Sequence, residues 1–175
     1  MANAEPIETP MKPTLLNLLL LTGTSISAAA QFPTARLSMD SFGPVHVGMT
    51  LERARDISGA EATEQFFSTD CGFLMVHREG VQFMIQNGKV SRIDVIDAQH
   101  PTLSGLRVGD SEGRAHQLYE RRLEVKQHAY DDSGHYLVLR SEDKKRALLL
   151  ETDGKLIRRM RAGLVSSVEL IEGCS

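Results

Sequence analysis

A twelve-residue pattern occurs twice in this chain, and it constrains the fold more than any other feature. The first copy runs from Val45 to Asp56 and the second from Leu106 to Gln117. Both read apolar-x-Val-Gly-x-(Thr/Ser)-x-x-Arg-Ala-x-x, followed by Ile57 or Leu118. Gly48 and Gly109 turn the chain after a short apolar stretch. Thr50 and Ser111 then stand where a hydroxyl caps a helix, because their oxygens can accept from an exposed N–H of the first turn. Glu52 and Glu112 follow in the first turn, where the helix dipole favours an anion. Arg53 and Arg114 hold the same position in both copies and are expected to brace the helix against the sheet or a carboxylate.

The likeness extends beyond the pattern. After the first copy, a helix is expected from Leu51 to Ser58, stopping at Gly59. Residues 60–70 are expected to add a short helical turn with Phe66 and Phe67 buried. A strand-like run follows over Gly72–His77. Val81, Phe83 and Ile85 alternate with Gln82 and Gln86, which gives a strand one dry face and one wet face. Asn87-Gly88 is a two-residue hairpin turn, since both residues tolerate positive φ, and Lys89–Ile96 returns as its partner strand. After the second copy, a helix is expected over Glu112–Arg122, with Ala115, Leu118, Tyr119 and Leu123 inward. Strands over Tyr136–Leu139 and Ala147–Leu150, a turn at Asp153-Gly154 and a return strand over Lys155–Arg161 follow, and Val168–Ile171 is expected to close the sheet. The pattern recurs after 61 residues and the hairpin turn after 66, so one unit with a short insertion explains both. The fold class read from this is α+β: two tandem modules, residues 31–100 and 101–175, each a short helical element followed by an antiparallel β-meander, with the helices packed on one sheet face. Residues 31–44 are a lead-in with at most one edge strand around Leu37, Met39 and Phe42.

Residues 1–30 are set aside as an N-terminal extension and signal peptide. Lys12 supplies the basic region, Leu15–Leu21 the apolar run, and Ser27-Ala28-Ala29-Ala30 the small residues before cleavage after Ala30. Met11 is the expected initiator. The apolar run is too short to span a bilayer, so a periplasmic or secreted protein with no stable membrane insertion is expected. The full chain has 20 basic and 23 acidic residues, and losing Glu5, Glu8 and Lys12 leaves a net charge of −2. That near-balance argues against nucleic acid as the partner. In an exported chain the two cysteines, Cys71 and Cys174, read as a disulfide. Closing so long a loop contributes about 4–5 kcal/mol on the chain-entropy view.

Two copies of an apolar-x-x-Gly-Met-Thr-like helix start, carried here by Gly48-Met49-Thr50 and Gly109-Asp110-Ser111, followed by antiparallel strands, resemble the tandem modules of secreted β-lactamase-inhibitor proteins. The single module is similar to small outer-membrane assembly lipoproteins of the SmpA/OmlA type. The resemblance implies a helix-on-sheet fold that binds proteins in the cell envelope. It carries over no contact residue, and the lipidated cysteine of the assembly lipoproteins has no counterpart here.

Three places in the chain hold residue types that could do chemistry or binding. Gly109-Asp110-Ser111-Glu112-Gly113 satisfies Gly-x-Ser-x-Gly, the pattern of a nucleophile elbow, so a small envelope hydrolase using Ser111 is the alternative function. Capping explains Thr50 and Ser111 together, whereas catalysis explains only one. Asp131, Asp132 and His135 hold metal-ligand atom types, but a Gly-containing polar turn accounts for them. No metal or cofactor is expected. Lys89, Arg92, Lys155, Arg159 and Arg161 fall on the two return strands and are expected to form a basic sheet surface that docks an acidic protein or polymer. Glycan binding is disfavoured by the absence of Trp. The function expected is therefore non-catalytic binding of another envelope or secreted macromolecule.

Overall fold

The computed structural model describes Met1, Phe32 and residues 34–174. The N-terminal extension, the signal peptide with its cleavage point and the start at Met11 lie outside the described residues. A strap carries a two-residue hairpin, β1 (Ser41–Phe42) and β2 (Val45–His46). It leads into α1 (Leu51–Ser58), β3 (Thr63–Phe66), β4 (Cys71–Val76), β5 (Val81–Gln86) and β6 (Lys89–Val95). Then follow α2 (Glu112–Tyr119), β7 (Leu123–Gln127), β8 (His135–Arg140), β9 (Arg146–Thr152), β10 (Ile157–Leu164) and α3 (Val165–Val168). The long strands form one antiparallel sheet of eight, in the order β3-β4-β5-β6-β10-β9-β8-β7. Its centre is the β6–β10 pair, with Val95 opposite Met160 and Arg92 opposite Gly163.

The two helix starts are held by the same backbone bonds. Gly48 N–H donates to Val90 C=O at 2.7 Å, and Gly109 N–H to Ile157 C=O at 2.8 Å. Leu51 N–H donates to Gly88 C=O, and Glu112 N–H to Lys155 C=O, both at 2.9 Å. Both glycines sit at φ +90°, a conformation costly for a residue with a Cβ. Thr50 Oγ1 accepts from Arg53 N–H at 3.3 Å, and Ser111 Oγ from Arg114 N–H at 3.2 Å. Each helix is thus tied to the turn that opens the last strand of the meander following it.

One sheet face is dry. Leu74, Phe83, Ile85, Ile93, Leu137, Leu150, Ile157 and Met160 point into it and pack under Ala54 of α1, Ala115 and Tyr119 of α2, and Leu37, Phe42 and Val45 of the strap. The alternation of Val81, Phe83 and Ile85 predicts this face. On the opposite face α3 packs through Val165 and Val168 against Tyr136, Val138, Ala147 and Leu149. Helices therefore lie on both faces, and the arrangement on one face alone is corrected.

Four local expectations are also corrected. Residues 63–66 form the edge strand β3, and Phe66 and Phe67 are exposed. α2 ends at Tyr119, Glu120 takes φ +48°, and a 3-10 turn over Glu120–Arg122 leads into strand β7. Leu118 is consequently exposed, while Leu123 packs on the core from a strand. The segment after β10 is the helical turn α3 in place of a closing strand. In the lead-in, the hairpin β1–β2 replaces a single edge strand, and Leu37 bridges both Phe42 and Thr102.

Candidate functional site

The five basic residues do not make one surface. β6 and β10 run antiparallel, so the turns that open them, and with them Lys89 and Lys155, lie at opposite ends of the central pair. Both lysines are exposed and Arg159 is half-buried. Arg92 and Arg161 are only 2–3% exposed at their side chains. A docking face that needs their charge at the surface is corrected, because both guanidinium groups are engaged inside the molecule.

Arg92, Asp94, Arg161 and Glu151 form a line of alternating charge on the sheet face opposite the main core. Arg92 Nε lies 3.1 Å from both Asp94 oxygens, with hydrogen-bond geometry to Oδ2. Gln82 Nε2 donates to the same Oδ2 at 3.3 Å. Arg161 Nε is 3.7 Å from Asp94 Oδ1, and Arg161 Nη2 donates to Glu151 Oε2 at 2.6 Å. Arg161 Nη1 makes no hydrogen bond among the described residues. Arg92 reaches further. Its Nη1 donates to Ser167 C=O and Leu170 C=O, both at 2.9 Å. Burial lowers the Arg92 pKa from its ordinary value, and Asp94 pulls it back. These contacts lie inside the fold: they tie the C-terminal tail to the sheet and present nothing to a ligand.

Ser111 is occupied by its cap. Its Oγ bonds Arg114 N–H, and the neighbouring carboxylate, Glu112, pairs with His135 Nδ1 at 2.9 Å and with the Thr152 hydroxyl. Asp131, Asp132 and His135 do not converge. Asp131 Oδ1 accepts from Ser133 N–H at 2.9 Å in a turn of its own, and His135 faces Glu112. Arg114 braces Asp110 at 3.0 Å. Arg53 has Met49 where Asp110 stands and makes no such pair among the described residues. His100 is the one fully buried histidine among the described residues. It lies 3.0 Å from Glu79 and edge-on to Phe42.

What composition does not reveal is the corner around Cys71–Cys174, which are disulfide-bonded. Cys71 is on β4, two strands from Lys89 through Gln86. The Phe73 ring is flanked by Phe67 (edge-on, 6.2 Å between ring centres) and by the Arg92 guanidinium at 5.8 Å. A Cβ on Gly173 would come 3.1 Å from that ring, so the tail lies flat on it. Phe67 is 57% exposed, and Leu170 and Ile171 are each 40% exposed. Phe67, between β3 and β4, and Leu170 and Ile171, on the C-terminal tail, thus stand in solvent on the two segments that the disulfide joins; the tail is also held by Arg92 and by the Ser167–Gln86 hydrogen bond at 2.6 Å. Only the disulfide had a signal in the sequence. Under the strap, Leu37, Met39, Leu103, Tyr119, Leu139 and Leu148 line a cavity of about 140 Å³. That is smaller than the several hundred Å³ of small-molecule sites.

No protein-family model matches the chain, and no curated protein matches it in sequence. Among solved structures it is similar to the crystal structure of the uncharacterized protein yfeY from Escherichia coli, with a TM-score of 0.52 and 14% identity. The likeness covers 73% of this chain and 99% of that one. At that identity it shows the fold alone: a mixed α+β arrangement on an antiparallel sheet. Among the described residues no helix is long and apolar enough to cross a membrane.

Proposed function

We propose that this is an exported binding protein of the periplasm or the extracellular space. It is built from two copies of one helix-plus-meander module and recognises another protein by surface complementarity. The observation that carries the reading is the disulfide corner: Phe67, Leu170 and Ile171 are exposed on the two segments that the Cys71–Cys174 bond joins. Large apolar side chains held rigidly in solvent contribute binding energy with little ordering cost. Lys89 stands at the rim and would steer an acidic partner surface, so one of the five basic residues keeps a binding role. Duplication is supported by the matched bonds of the two helix starts, and export by the signal-like segment together with the disulfide.

The test is affinity capture from the envelope fraction of the source organism, with the oxidised protein and the F67S/I171S variant as parallel baits. A stoichiometric protein retained by the first and at least about tenfold depleted on the second supports the reading. Equal retention by both baits, or no stoichiometric protein on either, overturns it. Unchanged thermal unfolding of the variant shows that the surface was altered and the fold kept.

A further inference from the structure

Among the described residues β7 is an outermost strand with one ladder partner, β8, in a regular register without a bulge. Which of its backbone groups face outward follows from the hairpin. His128 N–H donates to Gly134 C=O at 3.1 Å. Antiparallel alternation then directs the N–H and C=O of Lys126 and Glu124 to Tyr136 and Val138 and leaves those of Leu123, Val125 and Gln127 pointing away from the sheet. Natural edge strands are usually guarded by exposed charge of one sign, lysine above all, by proline, a bulge, an inward charge or a covering element; the two charges of β7, Glu124 and Lys126, are of opposite sign. β7 has neither proline nor bulge, and Val125, at the middle of its free rim, is 51% exposed.

The order of residues on this rim is self-complementary. Glu124 and Lys126 flank Val125 on the opposite face from it, with side chains 51% and 41% exposed. If a second β7 pairs antiparallel about Val125, the two Val125 residues exchange both backbone hydrogen bonds. Each Glu124 then stands directly opposite Lys126 of the other copy in a close, non-hydrogen-bonded pair. On the core side the two Val125 side chains meet. The other edge lacks this property. β3 reads Thr63-Glu64-Gln65-Phe66, and no register sets a cation opposite Glu64. We infer that β7 is a self-pairing edge: two copies of the chain join antiparallel through it about a two-fold axis at Val125, making one continuous sheet twice the width of the eight-stranded one. The disulfide corner lies at the far edge of each copy, so the dimer presents it twice.

The experiment is sedimentation velocity on the purified, oxidised protein over a wide concentration range. The mass is expected to double as concentration rises. E124K places two lysines on the rim and K126E two glutamates, so each variant alone is expected to dimerise at least about tenfold more weakly. Mixed, they are expected to recover the dimer mass, since the lysines of one meet the glutamates of the other. A merely destabilised strand would not be rescued by mixing. V125P removes an outward N–H that no internal bond uses, so it is expected to abolish the dimer while leaving thermal unfolding unchanged. A wild-type protein that stays monomeric, a dimer indifferent to V125P, or a mixture that stays monomeric would each overturn the inference.

Discussion

Asp94 is the residue on which the interior charge balance turns. It sits between Arg92 at 3.1 Å and Arg161 at 3.7 Å, and Arg161 reaches Glu151 on its far side. Two guanidinium groups therefore share two carboxylates away from water. D94N keeps the size and removes one negative charge, leaving Arg92 and Arg161 to repel across the gap. The cost expected is about 3–5 kcal/mol, as for other broken buried ion pairs, read as a lower urea midpoint. R78A, which removes a pair with Glu61 in which both side chains are 64% exposed, should cost less than about 1 kcal/mol. An unchanged midpoint in D94N would mean that the line of charge carries no net stabilisation. The sequence made Arg92 and Arg161 look like surface residues because charge on alternate strand positions is normally solvated. The contrary signal was the disulfide: a tail tied from Cys174 back to Cys71 must cross that face and cover what lies on it.

Hairpin turns and capped helices were legible as elements because their chemistry is local. α1 spans the residues that Thr50 and Gly59 delimit, and Asn87-Gly88 turns its hairpin with both residues at positive φ; Asp153-Gly154 falls in a longer turn, Asp153 to Leu156, closed by Asp153 N–H to Leu156 C=O. β3, β7 and α3 were not legible, for a physical reason. Both strands are sheet edges, where the side chains of Thr63, Glu64, Val125 and Gln127 stay exposed and the alternation of burial fades. α3 is four residues long, has no side-chain cap and is held by Arg92 from another element. The Asp153 turn also sets a pH dependence. Its Oδ1 accepts from Leu156 and Lys155 N–H, and Oδ2 binds Arg158, which lowers its pKa from 3.8 to about 2. A carboxylate depressed by folding stabilises the protein above its unfolded pKa, and that contribution is lost as pH falls through the folded value. Between pH 4 and 2 the melting temperature of the wild type should therefore fall more steeply than that of D153N, which keeps an acceptor oxygen but has no charge to lose. Parallel curves would show that the turn does not depend on the charge. Asp143 and Glu169, also depressed, by Ser141 and by Lys126 first, act in both proteins and cancel in the comparison.

At the scale of the whole molecule the two halves are one folding unit, because the core crosses the seam. Ile93 and Val95 of β6 and Met160 and Ala162 of β10 belong to a single apolar cluster with side chains from both meanders. The seam closes only because β10 carries a glycine opposite Arg92. A Cβ on Gly163 would fall 2.3 Å from Ser91 C=O oxygen and 2.9 Å from Arg92 Cα, backbone atoms that cannot rotate aside, and its φ of +146° disfavours other residues. G163A should thus force β6 and β10 apart and cost about 3 kcal/mol or more. Because the seam joins the halves, amide protection should fall together in β4 of one half and β8 of the other. G113A is the control: that glycine has ordinary φ, and its nearest neighbouring atom, the Ser111 hydroxyl oxygen, is 3.8 Å from an added Cβ. The change should be neutral or stabilising by up to about 1 kcal/mol. Should G163A unfold only the strands next to the seam while β4 and β8 keep their protection, each meander would be stable by itself and the shared core incidental.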